Sequence, residues 1–457
     1  SLSSAAMFAS LPTPGVPGAP SSTDAALSRH EVTDRVPRRP TSLTEGDRME
    51  GLLYGVRPEP WTAPDDSNPL LAGLARVPMR LTEIDMPTPR RSDWVVAKTR
   101  LTGICGSDAK QVFMDFGEEN LDSPLGHLFT FPTVLGHEVV ADVVELGPDA
   151  RGLEVGQRVV LNPWLSCGPR GIDPPCPSCV AGDLSLCWHF TDGDLAAGIH
   201  TGTSKDAPGG YAEYFPAHDS MLIPVPDSVP DEQAVFADPF AVSLHSVTRH
   251  PPRPGGKALV YGAGALGLCA TAILRALYPD VEVMTVARFP AQQKMAASLG
   301  ATVVEPEPRL ALIERAAEWS GGRLQPIAQG LPMAHPGGID VVYDTIGKPE
   351  TFEVGVRLLS TRGTLVKSGV HGPARWEWSP LYFKEITWVG SNAFGIEEVD
   401  GVRKHGIAHY LDLVAAGRVD LSGMLTHTFR IEQWRDAFTA LATQQQSGAI
   451  KVAFDFR

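Results

Sequence analysis

The stretch Ala258-Leu259-Val260-Tyr261-Gly262-Ala263-Gly264-Ala265-Leu266-Gly267 decides the fold. Four apolar residues of strand character run into a glycine turn, and the turn opens an apolar helix expected over residues 266–277. In such a unit the first glycine, Gly262, permits the tight turn. Gly264 lets backbone approach a pyrophosphate, and Gly267 lets helix and strand pack closely. The helix start at Ala265 and Leu266 then offers unpaired N–H groups and a positive dipole end to the phosphates. A glycine-rich turn alone is weak evidence, but here strand, turn, helix and a second strand at 281–286 follow in order. At the end of that second strand an Asp or Glu would take the ribose hydroxyls of NAD. The sequence has Ala287 and then Arg288, which suits a 2′-phosphate, so NADP is favoured over NAD. The alternative is that Arg288 is only a solvated loop residue.

Outward from this unit, residues 242–390 read as strands alternating with helices, with further strands expected at 339–343, 364–366 and 387–389. That alternation signals a parallel sheet covered by helices, a doubly wound α/β domain. Residues 49–241 read differently, as short β-rich runs (94–97, 139–146, 158–161) punctuated by Gly and Pro. Residues 391–457 return to short mixed elements and end in a strand-like run at 449–454. Residues 1–48, rich in Pro, Ser, Ala and Thr without apolar periodicity, are expected to be a disordered tail or an appended extension.

A chain of 457 residues exceeds the size of one hydrophobic core, so two domains are expected. A formal net charge of −14 argues against nucleic acid or an anionic membrane as partner. The longest apolar stretch, 258–274, holds three glycines and is too short to span a bilayer. The N-terminus lacks the basic start and apolar run of a secretory signal, so the cytoplasm is the expected compartment.

Four of the six cysteines, Cys167, Cys176, Cys179 and Cys187, fall within 21 positions. In a reducing compartment such a cluster suggests metal before disulfide, and four thiolates close a tetrahedral shell, which makes a structural zinc. The bland alternative is a set of unrelated buried cysteines; Cys269 is read as a core residue. A second set is scattered: Cys105, His137 and Asp238 would together form an open shell with one position for water or alcohol. Singly each is weak, since a lone His beside a carboxylate is more often a structural pair.

Taken in order, these motifs resemble the medium-chain dehydrogenase/reductase family, in its zinc alcohol and polyol branch. The resemblance runs over residues 49–457. Its motifs are Gly-Ile-Cys-Gly-Ser-Asp at 103–108, Phe-Pro-Thr-Val-Leu-Gly-His-Glu at 131–138 and Val-Gly-Gln-Arg-Val at 155–159. The cysteine lobe, Gly-Gly-Tyr-Ala-Glu-Tyr at 209–214, Asp-Pro-Phe-Ala-Val at 238–242 and the glycine turn follow. The resemblance implies a GroES-like catalytic domain at 49–241, to which 391–457 return, and a Rossmann cofactor domain at 242–390. It implies catalytic zinc on Cys105, His137 and Asp238, structural zinc on the cysteine lobe, and homodimers or homotetramers. Ser107 would pass the alcohol proton outward, Asp108 would orient His137, and Glu138 would lie behind the zinc. Residues Val366 to Val370 would contact the nicotinamide carboxamide through backbone.

Four departures from the family pattern stand out. Asp238 occupies a position where polyol-type members have Glu, and its shorter reach suggests a water-bridged contact. The first gap of the cysteine lobe, Gly168 to Pro175, is long, which makes Cys167 the least secure structural ligand. Extra residues around 115–130, with His127 read as a surface residue, insert near the cleft. Lys110 stands where many members carry a relay histidine, so the proton is expected to pass directly to water. The expected activity is hydride transfer between a secondary alcohol or polyol, or its carbonyl counterpart, and a nicotinamide nucleotide. The rivals are a zinc-independent enone or quinone reductase on the same fold and a non-catalytic nucleotide-binding protein with only structural zinc. The cleft is expected to draw on Trp164, Trp188 and Phe394, the last across a domain or subunit boundary.

Overall fold

The structure, a computed structural model, describes residues 46–115, 124–325, 329–371 and 378–457. The expectation of a disordered tail therefore falls almost wholly outside the described residues, as do residues 116–123 of the insertion around 115–130. Its one described histidine, His127, is exposed as expected.

The glycine turn sits where the sequence places it. Strand β9 comprises Lys257–Tyr261, β10 Glu282–Val286, β11 Thr302–Val304, β14 Ile339–Asp344, β15 Leu359–Lys367 and β16 Thr387–Gly390. The short strands β12 (Leu324–Gln325) and β13 (Met333–Ala334) pair separately. The six longer-range partners form one parallel sheet in the order β11-β10-β9-β14-β15-β16. The order reverses beside β9, which places the crevice for a dinucleotide at the carboxyl ends of β9 and β14. The helix Ala265–Leu277 buries Leu268, Cys269, Ile273 and Leu274 against this sheet. Each such aliphatic side chain contributes about 1.5–3 kcal/mol by leaving water. Cys269 is thus a core residue, as read from the sequence.

Before this sheet the chain lays down β1 (Arg48–Tyr54), β2 (Met79–Asp85), β3 (Trp94–Gly103), β4 (Thr133–Val134), β5 (Glu138–Leu146), β6 (Arg158–Leu161), β7 (Tyr214–His218) and β8 (Leu222–Pro224). After it come β17 (Ile396–Val399), β18 (Val402–His405), β19 (Leu425–Phe429) and β20 (Lys451–Asp455). The last two cross back. β20 lies antiparallel to β3, with Ala453 opposite Gly103, and β19 lies parallel to β20, extending the sheet β19-β20-β3-β5-β6-β8. The return of the tail expected from the sequence is therefore a strand pairing.

Two features position the site. The helix Ala237–Arg249, which spans the expected 241/242 boundary, packs on the glycine-turn helix through the Ser243 hydroxyl, which donates to Leu266 O at 2.8 Å. Its first turn carries Asp238 toward β3 and β5. The second feature is the fully buried Arg170 inside the long cysteine-lobe gap. Its guanidinium donates to the carbonyls of Leu165, Asp192, Leu195, Ala196 and Gly198, so the unusual gap is folded around one cation.

Candidate active site

The glycine turn explains two of its glycines by protein alone. Gly262 has φ +104°, and a Cβ on Gly267 would stand 1.9 Å from Gly262 O. A Cβ on Gly264 would meet nothing within 4 Å. Open space above the second glycine, at the start of a helix without a side-chain cap, is the cradle a pyrophosphate needs. Ala265 and Leu266, next in the turn, are half-buried. Gly262 N donates to Val286 O at 3.1 Å, which holds the turn beside the end of β10. There Ala287 is buried and Arg288 is exposed, its guanidinium 5.3 Å from the centre of the Phe289 ring. Val370, beyond β15, is likewise exposed.

Cys105 caps the start of the helix Gly106–Val112 immediately after β3, and His137 and Glu138 enter at the start of β5. The pairing of Gly103 with Glu138 brings these two segments together. One ligand atom each from Cys105, His137 and Glu138 lies within 4.8 Å of the others. Asp238 is not in this close set. Its carboxyl is buried and feels the charges of His137, Glu138 and Lys451, and burial pushes its pKa up to about 7. The expected group Cys105, His137 and Asp238 is thus met as a close trio with Glu138 in it and Asp238 beside it.

The surroundings hold these groups in place. Asp108 Oδ1 lies 3.5 Å from His137 Nδ1, while its Oδ2 accepts from Tyr211 OH at 2.9 Å and Cys105 N at 3.4 Å. Burial alone would raise the Asp108 carboxyl; the His137 ring beside it outweighs this, and its pKa lies below the ordinary value. With Nδ1 turned to Asp108, the other ring nitrogen is left for Cys105 and Glu138. An imidazole, a carboxylate and a thiol that bring one ligand atom each within 4.8 Å of the others suit a divalent cation of borderline softness. Glu138 forms a buried ion pair with Lys451, whose Nζ also donates to Ile104 O at 3.0 Å. Ser107 is half-buried on the same helix turn, and Lys110 in its last turn acts electrostatically on Lys367 and His371 at the end of β15. The helix that follows Cys105 therefore faces the carboxyl ends of the parallel strands.

The cysteine lobe is closed. The sulfurs of Cys167, Cys176, Cys179 and Cys187 all lie within 4.8 Å of one another, and none is in a disulfide. Cys167 and Cys187 are 3.7 Å apart, near the edge of about 3.8 Å that zinc–sulfur bonds of about 2.3 Å give a tetrahedron. Cys176 N donates to Cys167 Sγ at 3.3 Å and His189 N to Cys187 Sγ at 3.4 Å. Cys167, least secure from spacing, stands in the set with the rest.

Sequence reasoning gave no role to Tyr211, Lys451 or His200. Tyr211 lay inside a quoted motif, but nothing in the motif says what its hydroxyl meets. Lys451 is 313 positions from Glu138 and carries no local signal. The His200 ring lies against that of His137, tilted by 48° with ring centres 4.5 Å apart, and makes an edge contact with Trp164 at 5.8 Å. Trp164 in turn meets Phe394 at 6.2 Å within the same chain, while Trp188 is exposed.

Comparison with known proteins agrees with this geometry. Residues 91–227 match the alcohol dehydrogenase GroES-like domain and residues 265–405 match the zinc-binding dehydrogenase domain, together more than half of the chain. The chain is 28% identical to (R,R)-butanediol dehydrogenase of Saccharomyces cerevisiae over 387 residues, covering 79% of this chain and 92% of that protein. It is 27% identical to L-threonine 3-dehydrogenase of Pectobacterium carotovorum over 379 residues, 82% of this chain and 96% of that protein. The crystal structure of 2R,3R-butanediol dehydrogenase from Bacillus subtilis shares the fold, with a TM-score of 0.67 at 21% identity over 90% of this chain and 100% of that one. The chain belongs to the zinc-type medium-chain dehydrogenase/reductase family, and it is a nicotinamide-dependent dehydrogenase.

Proposed function

We propose that this dehydrogenase oxidises a secondary alcohol or polyol, or reduces the matching ketone or aldehyde, with NADP preferred over NAD. The observation that carries the reading is the close set Cys105, His137 and Glu138 facing the strand ends that bear the glycine cradle. When bound, zinc supplies a Lewis acid that lowers the pKa of the alcohol, and the nicotinamide supplies the hydride acceptor. With both groups bound, the carbinol carbon would give up its C–H electron pair as hydride to the nucleotide and the hydroxyl proton would go to solvent. Ser107 passes that proton outward. Asp108 holds the His137 ring, Lys451 holds the Glu138 carboxylate, and Asp238 meets the site through water. Gly262, Gly264, Ala265, Leu266 and Gly267 cradle the pyrophosphate, Arg288 beside Ala287 takes the 2′-phosphate, and backbone at Val370 meets the carboxamide.

In this reading residues 49–241 and 391–457 hold the metals and residues 242–390 the nucleotide, with the helix Ala237–Arg249 shared between them. The four-cysteine lobe holds a second, structural zinc. The chain works in the cytoplasm as a homodimer or homotetramer. The ligand set speaks against the zinc-independent reductase and the non-catalytic rival, since neither needs an open thiolate–imidazole–carboxylate set.

Metal analysis with a Cys105→Ser variant tests the proposal. The unaltered protein is expected to hold about two zincs per chain, and Cys105→Ser about one, with turnover lost and nucleotide binding kept. A single zinc in the unaltered protein, or turnover surviving in Cys105→Ser, overturns it.

A further inference from the structure

Asp344 is fully buried at the carboxyl end of β14, and neither metal set has a use for its carboxylate. Its register partner on β9 is Tyr261, the residue before Gly262, and its partner on β15 is Lys367. It therefore stands in the middle of the three strand ends that frame the crevice. Its Oδ1 accepts from Ile346 N at 3.0 Å and from Gly347 N at 2.8 Å, and its Oδ2 accepts from Thr351 Oγ1 at 2.6 Å. Its main-chain carbonyl accepts from Ser368 N at 3.0 Å and from Gly369 N at 3.1 Å. One residue thus ties the turn after β14 to the turn after β15. Burial raises the pKa of the carboxyl against the pull of these donors and of Lys367, whose Nζ donates to Gly369 O.

The turn 345–347 is packed on both sides. Toward the cradle, Thr345 donates to Tyr261 O from its N at 3.1 Å and from its Oγ1 at 2.9 Å. A Cβ on Gly262 would stand 2.6 Å from that hydroxyl and 2.9 Å from Ile346 Cγ1. Toward the other turn, a Cβ on Gly369 would stand 2.7 Å from Gly347 N, and one on Gly347 3.0 Å from Gly369 O. The turn is therefore a spacer, and its thickness sets how far the backbone at 368–370 stands from the glycine cradle. A dinucleotide has to span that distance, with its pyrophosphate at one end and its nicotinamide at the other. We propose that Asp344 is a positioning residue for the nicotinamide half of the nucleotide, holding this spacer so that one dinucleotide reaches both the cradle and the backbone at 368–370. This rests on the contact proposed above between that backbone and the carboxamide. The adenine half, seated on the cradle alone, does not depend on Asp344.

The test is calorimetric titration of the zinc-loaded protein with NADP and NAD, and with 2′-phospho-ADP-ribose and ADP-ribose, which lack the nicotinamide. Asp344→Ala leaves Ile346 N and Gly347 N without their acceptor. It is expected to bind the dinucleotides about tenfold more weakly, with the fragments changed less than about twofold. Asp344→Asn keeps an oxygen for both N–H groups, and its amide can donate to Thr351 Oγ1, which already lies 2.8 Å from Lys348 O. It should stay within about threefold of the unaltered protein for every probe. Gly369→Ala keeps the carboxylate but drives the same two turns apart from the other side, and it should repeat the Asp344→Ala pattern. A role in stability alone would lower the melting temperature and leave the ratio of dinucleotide to fragment affinity unmoved. An unmoved ratio in folded Asp344→Ala overturns the positioning role, and where that variant does not fold, an unmoved ratio in Gly369→Ala does so. A tenfold loss in Asp344→Asn would make charge the agent and overturn the spacer. If the unaltered protein binds each fragment as tightly as its dinucleotide, the proposed carboxamide contact itself fails, and the spacer with it.

Discussion

Arg288 stands exposed at the end of β10 with no carboxylate on either side of it in sequence, and Gly262 N bonds the last residue of the same strand. With the pyrophosphate seated on the glycine turn, a 2′-phosphate on the adenosine ribose would reach this guanidinium. Arg288→Ala is expected to raise KM for NADP by about 10- to 100-fold while leaving NAD nearly unchanged, the size of one charge-assisted hydrogen bond. Initial rates with both nucleotides check this; an unchanged ratio of the two KM values makes Arg288 a solvated loop residue. At this scale the sequence was readable wherever a residue type and its neighbours in the chain carry the chemistry, as at Cys105, His137 and the three turn glycines. It was unreadable where the partner is chosen by reach. Whether Glu138 or Asp238 closes on Cys105 depends on how far a helix stands from a strand, and no local pattern encodes that distance. His200 sits nine positions before Gly209, in no motif, and only the packing of Trp164 shows why it is there.

The elements differ in the same way. The strands around the glycine turn were legible because each buried strand is a short apolar run between turn signals; β11 was not, since its Thr302–Val304 is short and partly exposed. The antiparallel hairpin β17–β18 was invisible in sequence, because a Glu and a Lys stand where an apolar alternation would be expected. The structure shows what holds it. Glu397 on β17 is buried and accepts from His245 Nδ1 at 2.6 Å and Thr248 Oγ1 at 2.8 Å, both on the helix Ala237–Arg249, while His409 Nε2 donates to Glu397 O at 3.1 Å. Burial would raise the Glu397 carboxyl, but His245 outweighs it and the pKa lies below the ordinary 4.5. Burial lowers the neighbouring His405, to about 4, and His409 also lies below the ordinary 6.5. All three shifts have one sign: the unfolded chain binds more protons than the folded one as pH falls from about 6.5 through the carboxylate range, so stability is lost over that window. Glu397→Gln is expected to cost about 3 kcal/mol at neutral pH, from leaving His245 without its anion. Its thermal melting should also fall less between pH 6.5 and 4 than that of the unaltered protein. An equal melting temperature at pH 7 would show that the clamp carries no load.

Over the whole molecule, the two-part architecture was the most legible feature, because the change from β-rich runs to strand–helix alternation is spread over hundreds of residues and survives local error. Assembly is a different matter. Strand β16 ends the parallel sheet, and near it Trp378, Tyr382 and Phe383 are exposed. An edge that pairs with no further strand among the described residues, bordered by exposed aromatics, is a surface that proteins normally cover, and in the proposed homodimer a second copy of this chain would supply the matching edge. Light scattering is expected to give at least twice the chain mass of 49.0 kDa, and the double variant Tyr382→Lys with Phe383→Lys should reduce it toward that single-chain value. A monomer at working concentration would count against the homodimer reading.

Lys451 on β20 is the cation that faces Glu138, and the two are joined across nearly the whole length of the described chain. During synthesis on the ribosome, Glu138 is made long before its counter-charge exists. More than three hundred residues, including the entire parallel sheet, must be added before β20 can dock on β3. Until then the site presents an uncompensated carboxylate beside a free thiol, in a chain whose defining contacts are non-local and therefore slow to form. The cysteine lobe, by contrast, is complete within 21 positions. The two proposed metal sites should therefore mature at different times: the lobe would be able to take an ion while the chain is still emerging, and the working site only after the last strand has closed over it.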